Sequence, residues 1–144
     1  FSQDRFAVFQ QALSDACLPL QTVPIIETVV EPLSGYKAMN TLLDLAQPPT
    51  AVFALYDLMA VDALHAAHDR ELRVSEDVAI AGFDGLRSSF ITQPRLTTVQ
   101  QPLQQMGQRA MELLLSLIED PFQPPVTEIF PVELVIRQST RLQQ

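Results

Sequence analysis

Val74-Ser-Glu-Asp-Val-Ala-Ile-Ala-Gly-Phe-Asp84 is the stretch on which the fold turns. Val78 to Ala81 is apolar at every position, without the alternation of a strand that wets one face. Such a run suits a strand buried on both faces, and it ends in the turn residues Gly82-Phe83-Asp84-Gly85. Upstream, Ala51 to Leu55 repeats the pattern and is followed by Asp57, which is placed to cap a third helix running through Ala67. Short apolar strands alternating with helices describe an α/β fold, a parallel sheet covered by helices on both faces.

Working outward, Phe6, Phe9, Leu13 and Ala16 recur at helical spacing behind Ser2, a candidate cap. Leu20 to Ile26 reads as a strand, with Pro24 arguing for an edge position. Glu31-Pro32 opens a second helix with the stripe Tyr36, Met39, Leu43 and Ala46, and Pro48-Pro49 stops it. Beyond Pro94, Leu96 to Val99 is a brief extended piece. Leu103 to Glu119 is a helix with an apolar face of Met106, Ala110, Leu113, Leu114 and Leu117. Ile129 to Ile136 reads as a strand.

Composition removes several classes of function. Nine Lys and Arg against seventeen Asp and Glu give a net charge of -8, so the segment has no basic footprint for a phosphate backbone. Acidity excludes neither a DNA-binding partner domain nor a neutral ligand. Cys17 is the single cysteine and cannot close an internal disulfide. No apolar run approaches the ~20 residues that cross a bilayer, and no basic start followed by an apolar stretch marks a signal peptide. Phe1-Ser2-Gln3 reads like the inside of a larger protein, so a fragment is expected.

Catalytic chemistry finds little to use. His65 and His68 stand three apart on the third helix with Asp62 and Asp69 nearby, but no Cys cluster or His-Glu-x-x-His pattern accompanies them. Two surface histidines are the expected reading. Cys17 has no histidine near it in sequence and reads as a buried or incidental thiol. Ser88 and Ser89 lack a Gly-x-Ser-x-Gly elbow, and no glycine-rich phosphate loop occurs. No enzyme, cofactor or metal site is expected.

The informative feature is positional. In open parallel sheets ligands bind beyond the carboxyl ends of the strands, where Tyr56, Asp57 and Asp84 all fall. A carboxylate there accepts paired hydroxyl hydrogen bonds, an aromatic face stacks on a sugar or a base, and Arg5 would add a fork of donors. By spacing alone Asp84 is either that ligand contact or the brace of its own turn, and Asp57 is a helix cap.

Five segments together resemble one family. Ala51-Val-Phe-Ala-Leu-Tyr-Asp-Leu-Met-Ala60 is similar to an apolar strand entering Asn-Asp and a Met-Ala helix. Val74 to Asp84 is similar to a strand ending in Gly-Phe-Asp. Pro94-Arg-Leu-Thr-Thr-Val99, the following Gln101-Pro102 with Met106-Gly107 and Ala110, and Arg137-Gln-Ser-Thr140 complete the series in order and spacing. The chain thus resembles the effector-binding region of LacI/GalR-type transcriptional regulators, with a periplasmic-binding-protein-like fold of two lobes and an effector in the cleft between them.

That resemblance implies the rest. Residues 1–99 would be the C-terminal lobe, 100–135 a helix and strand belonging to the N-terminal lobe, and 136–144 the return to the C-terminal lobe and tail. Arg5 and Asp84 match ligand contacts. Tyr56 replaces the usual Asn there, and Val30 and Leu103 match wall positions. Val8, Asp62 and Glu71 replace family glycines, and Glu71 is expected to make the end of the third helix irregular. Gly85 stands where a second Asp is usual. A homodimer would use Leu33, Tyr36, Val61, Leu64, Phe90 and Ile91. The implied partners are a small effector, a carbohydrate by first choice and a nucleoside or purine by second, and operator DNA through a headpiece outside this chain. A cytoplasmic protein without membrane contact follows. The alternative on the same architecture is a periplasmic sugar-binding protein of a transport system.

Overall fold

The structure is a computed structural model that describes residues 2–141; the side chain of Ser2, the proposed first cap, and the last three residues of the 136–144 tail lie outside what it describes. Its elements are α1 (Ser2–Asp15), α2 (Ser34–Leu43), β1 (Ala51–Phe53), α3 (Asp57–Asp69), β2 (Ala79–Asp84), α4 (Arg87–Ile91), β3 (Thr97–Gln100), α5 (Leu103–Glu119) and β4 (Glu133–Val135). Two 3-10 turns cover Leu20–Thr22 and Gln138–Thr140. The four strands form one sheet in the order β1-β2-β3-β4. β1, β2 and β3 are parallel, with Phe53 opposite Ala81 and Gly82 opposite Thr98, and β4 joins antiparallel with Leu134 opposite Val99.

The core lies between α3 and the sheet. Ala60, Ala63, Ala66 and Ala67 form the inner face of α3, and each is 3% exposed or less. Alanine has the best helix propensity and the smallest side chain that fills space, so α3 settles directly onto Val78, Ile80 and Leu96, all buried. α2 crosses α3 at Gly35, where a Cβ would collide with the Met59 backbone. Polar clasps finish the pair: Tyr36 Oη donates to Asp69 Oδ2 at 2.9 Å, and Arg70 bonds Asn40 at 2.6 Å and Asp44 at 2.7 Å.

Several expectations give way. Leu20 to Ile26 makes a 3-10 turn and an unpaired extension instead of a strand, because no sheet edge engages it and Pro24 lacks a donor. α2 begins at Ser34, behind a left-handed Leu33 (φ 64), and ends at Leu43, well before Pro48. β1 is three residues long and forms an edge, so Ala51 and Phe53 face outward rather than being buried. The Ile129 to Ile136 strand shrinks to Glu133–Val135. Cys17, read as a buried or incidental thiol, is exposed, which leaves the second reading. Glu71 does not make the end of α3 irregular. It adopts φ 58, while Glu71 N–H donates to His68 O at 2.9 Å and Leu72 N–H to Ala67 O at 3.0 Å, the regular glycine-type helix stop made without a glycine.

The closing Arg137-Gln-Ser-Thr140 segment acts as a staple. Ser139 Oγ, fully buried, donates to Ile80 O at 2.6 Å and accepts from Thr97 N at 2.8 Å. Arg137 N donates to Thr97 Oγ1 at 2.8 Å, and its Nη1 donates to Leu96 O at 2.7 Å. The segment 137–140 is thereby bound to the start of β3.

Candidate functional site

Asp84 closes β2 at its carboxyl end, with φ 127, a backbone angle that L residues rarely adopt. Its carbonyl accepts from Gln101 N at 3.2 Å, and its Oδ1 accepts from Gln101 Nε2 at 2.9 Å and from Arg5 Nη2 at 3.2 Å. The Asp84 side chain is 16% exposed and that of Arg5 13%, so the pair is only partly open to water. Burial raises the Asp84 carboxyl above its usual range; the Arg5 guanidinium beside it pulls the other way, and the neighbouring Asp57 charge adds to the rise.

Arg5 reaches this corner from α1 under tight constraint. Its Nη1 donates to Leu55 O at 2.5 Å. Its guanidinium lies 3.9 Å from the centre of the Phe83 ring and 5.0 Å from that of Tyr56. Two aromatic faces therefore hold the plane, with Nη1 on Leu55 O and Nη2 on Asp84 along its edge. The arrangement offers a fixed acceptor beside fixed donors, which matches a ligand carrying neighbouring hydroxyl or carbonyl groups.

Asp57 sits just behind, fully buried, and it does not cap α3: the cap position is Tyr56, and no side-chain cap bond forms. Asp57 Oδ1 accepts from Thr98 Oγ1 at 2.6 Å and Oδ2 from Leu86 N at 2.8 Å. Thr98 Oγ1 in turn accepts from Gly85 N at 3.3 Å. At the first helical position the carboxylate also meets the positive end of α3. A Cβ at Gly82 would strike Asp57 Oδ1, so glycine is needed there for contact, not for a turn. The cap reading failed because it considered only the nearest backbone; the partners of Asp57 lie on β3 and on the loop after β2.

The structure thus brings together Asp84, Arg5 and Tyr56. Leu103 follows closely, its N–H donating to Gln101 O at 2.9 Å, and is 46% exposed. Val30 is 60% exposed, and among the described residues no hydrogen bond, ion pair or ring contact ties it to this corner. Gln101 and Phe83 are site residues that sequence reasoning missed. Phe83 stood inside Gly-Phe-Asp and Gln101 inside the Gln101-Pro102 segment of the resemblance, but neither was read as a contact. Of the six candidate interface residues, Leu33, Phe90 and Ile91 are exposed and Tyr36 and Val61 half-buried, while Leu64, 4% exposed, belongs to the hydrophobic core. His65 and His68 are exposed on α3, and no His, Cys, Asp and Glu group suited to a metal occurs among the described residues.

Residues 1–140 match the periplasmic binding protein-like domain family. The chain is 38% identical over 143 residues to the HTH-type transcriptional repressor PurR of Actinobacillus pleuropneumoniae, covering 97% of this chain and 42% of that protein. The chain belongs to the periplasmic-binding-protein-like effector domains of the LacI family. Among solved structures, the LacI family transcriptional regulator from Enterococcus faecium with bound ribose superposes with a TM-score of 0.89 at 30% identity, over 96% of this chain and 51% of that one. The transcriptional regulator CelR–cellobiose complex gives 0.83 at 33%, over 91% and 40%. The lac repressor dimer bound to operator and the anti-inducer ONPF gives 0.80 at 28%, over 94% and 40%. This LacI-family domain therefore spans about one third to one half of the length of the relatives it matches. Those relatives are regulators, not enzymes. No helix among the described residues is long and apolar enough to cross a membrane.

Proposed function

We propose that this chain is the ligand-sensing part of a cytoplasmic, DNA-binding transcriptional regulator, and that a small effector held at the Asp84–Arg5 corner sets the regulator's affinity for its operator. The observation that carries the reading is Asp84 itself: a partly open carboxylate at a strand's carboxyl end, in an uncommon backbone conformation, braced by Arg5 and Gln101. Strain of this kind persists where the surroundings over-determine it, as at ligand clamps. Tyr56 and Leu103 would flank the effector, with Val30 as a further wall.

Residues 1–99 serve as the C-terminal lobe, 100–135 as part of the N-terminal lobe and 136–144 as the return. The antiparallel β3–β4 pair is then where the chain leaves one lobe and comes back. An effector bound across the cleft favours one lobe orientation, and it shifts DNA affinity only by its differential affinity for the two orientations. Leu33, Phe90 and Ile91 form the apolar part of a homodimer contact. DNA is reached through a headpiece carried elsewhere in the full-length protein, since a net charge of -8 disfavours direct contact.

A carbohydrate is the favoured effector, because the acceptor–donor pair suits vicinal hydroxyls and relatives are solved with ribose and cellobiose. A purine is the second reading, favoured by the PurR relatives, which are 38–42% identical, and by the Tyr56 ring in place of an amide. Thermal melting of the full-length protein against ribose, cellobiose, purine bases and nucleosides separates the two: the true class raises Tm with concentration by mass action. Stabilisation by none of these would overturn both.

A further inference from the structure

We propose a second ligand site, for a phosphate dianion, where Arg95, Arg137 and Arg141 line one cleft of about 220 Å³ with Ile136 and Gln138. Arg95 precedes β3, whereas Gln101 beside Asp84 follows it, so at roughly 3.3 Å per residue the two sites stand ~20 Å apart, at opposite ends of the strand.

Charge makes the cleft unusual. Acidic side chains outnumber basic ones seventeen to nine, and Arg5, Arg70, Arg73 and Arg109 all form ion pairs. Among the described residues the three cleft arginines form none, and no acidic residue lines the cleft. Like charges converging without a counter-charge repel one another, and an anion between them removes that cost.

The guanidiniums are also pre-oriented. Arg137 Nη1 is anchored on Ser89 Oγ at 3.1 Å and on Leu96 O at 2.7 Å, which fixes its guanidinium at the wall of the cleft. The Phe90 ring holds two of the three: Arg95 lies 4.7 Å and Arg137 5.5 Å from its centre. Three guanidinium forks exceed what one carboxylate accepts, and they match the three terminal oxygens and double charge of a phosphate. The cleft has room beyond a phosphate group, and Ile136, 51% exposed, gives that room an apolar wall, so a phosphate monoester of a small molecule fits better than the bare ion.

The test titrates the full-length protein at constant ionic strength with inorganic phosphate, ribose 5-phosphate and acetate, read by calorimetry and by Tm. Ribose 5-phosphate should bind saturably and more tightly than inorganic phosphate, with acetate far weaker. R95Q/R141Q, which spares the anchored Arg137, should weaken phosphate binding about tenfold or more without lowering the unliganded Tm, since it relieves the repulsion among the three arginines. Asp84→Asn should leave it intact, which separates this site from the effector corner. Absence of saturable phosphate binding, acetate binding equal to phosphate, full binding by R95Q/R141Q, or loss of binding in Asp84→Asn would each overturn the proposal.

Discussion

α3 and α5 are both regular helices, and they meet opposite fates. α3 buries Asp57, Ala60, Ala63, Leu64, Ala66 and Ala67, whereas α5, with the stronger apolar stripe, buries none of its residues. Met111, Leu114, Leu115, Leu117 and Ile118 on α5 are each 44% exposed or more. The accessible surface is 10261 Å², against about 7,400 Å² expected for a compact protein of this mass. Periodicity states that a helix has an apolar face; it does not state which surface covers it. In α3 the cover is α2 and β2. For α5 it lies outside the contacts of this chain, in line with its proposed place in the other lobe.

Substitutions sharpen that contrast. The largest effect is expected at Asp57. Asp57→Ala strips Thr98 Oγ1 and Leu86 N of their acceptor and should cost about 3–5 kcal/mol, read by urea denaturation. Leu64→Ala should cost about 2–5 kcal/mol by opening a cavity beneath α3. Leu114→Ala in the same 144-residue chain should change stability by no more than about 0.5 kcal/mol. Equal costs at Leu64 and Leu114 would break the comparison, because α5 would then be packed as α3 is.

A smaller change of opposite sign is expected at the end of α3. Glu71 holds φ 58, which costs an L residue roughly 1–2 kcal/mol, so Glu71→Gly should stabilise the chain by about 1 kcal/mol. A loss of stability would mean that the Glu71 side chain makes a contact outweighing its backbone strain.

Much of the fold was legible, for reasons visible in particular residues. The all-apolar run before Gly82 located the central strand, and α5 was read with its observed ends. Leu20 to Ile26 misled because β character is realised only against a partner strand. Asp57 misled because a buried carboxylate's partners can be distant in sequence. At the candidate site, Asp84 and Arg5 were singled out through position and resemblance, and they lie in contact. Gln101 was not, since its role depends on β3 ending level with β2.

Protonation provides a graded test of the corner. The Asp84 carboxyl is raised, chiefly by burial, so the folded state holds that proton more readily than the unfolded chain does. Its contribution to stability is therefore greatest below the unfolded value and is lost as pH rises through the raised folded one. On the proposed role of Asp84, effector affinity should run the other way, because the ligand would bind the carboxylate. It should fall as pH drops through the raised value, sooner than an ordinary Asp would dictate, and Asp84→Asn should abolish that dependence in calorimetric titrations.

The most direct measurement is calorimetry of Asp84→Asn with the effector identified by melting, beside a thermal melt of the same variant. The substitution keeps the shape, removes the charge and replaces one acceptor oxygen by a donor. Loss of charge-assisted contacts worth about 1.5–3 kcal/mol each should weaken binding by a factor on the order of 10 to 1,000, with the protein still folded. Unchanged affinity in folded Asp84→Asn would show that the carboxylate only braces its turn, and would contradict its role as the effector contact.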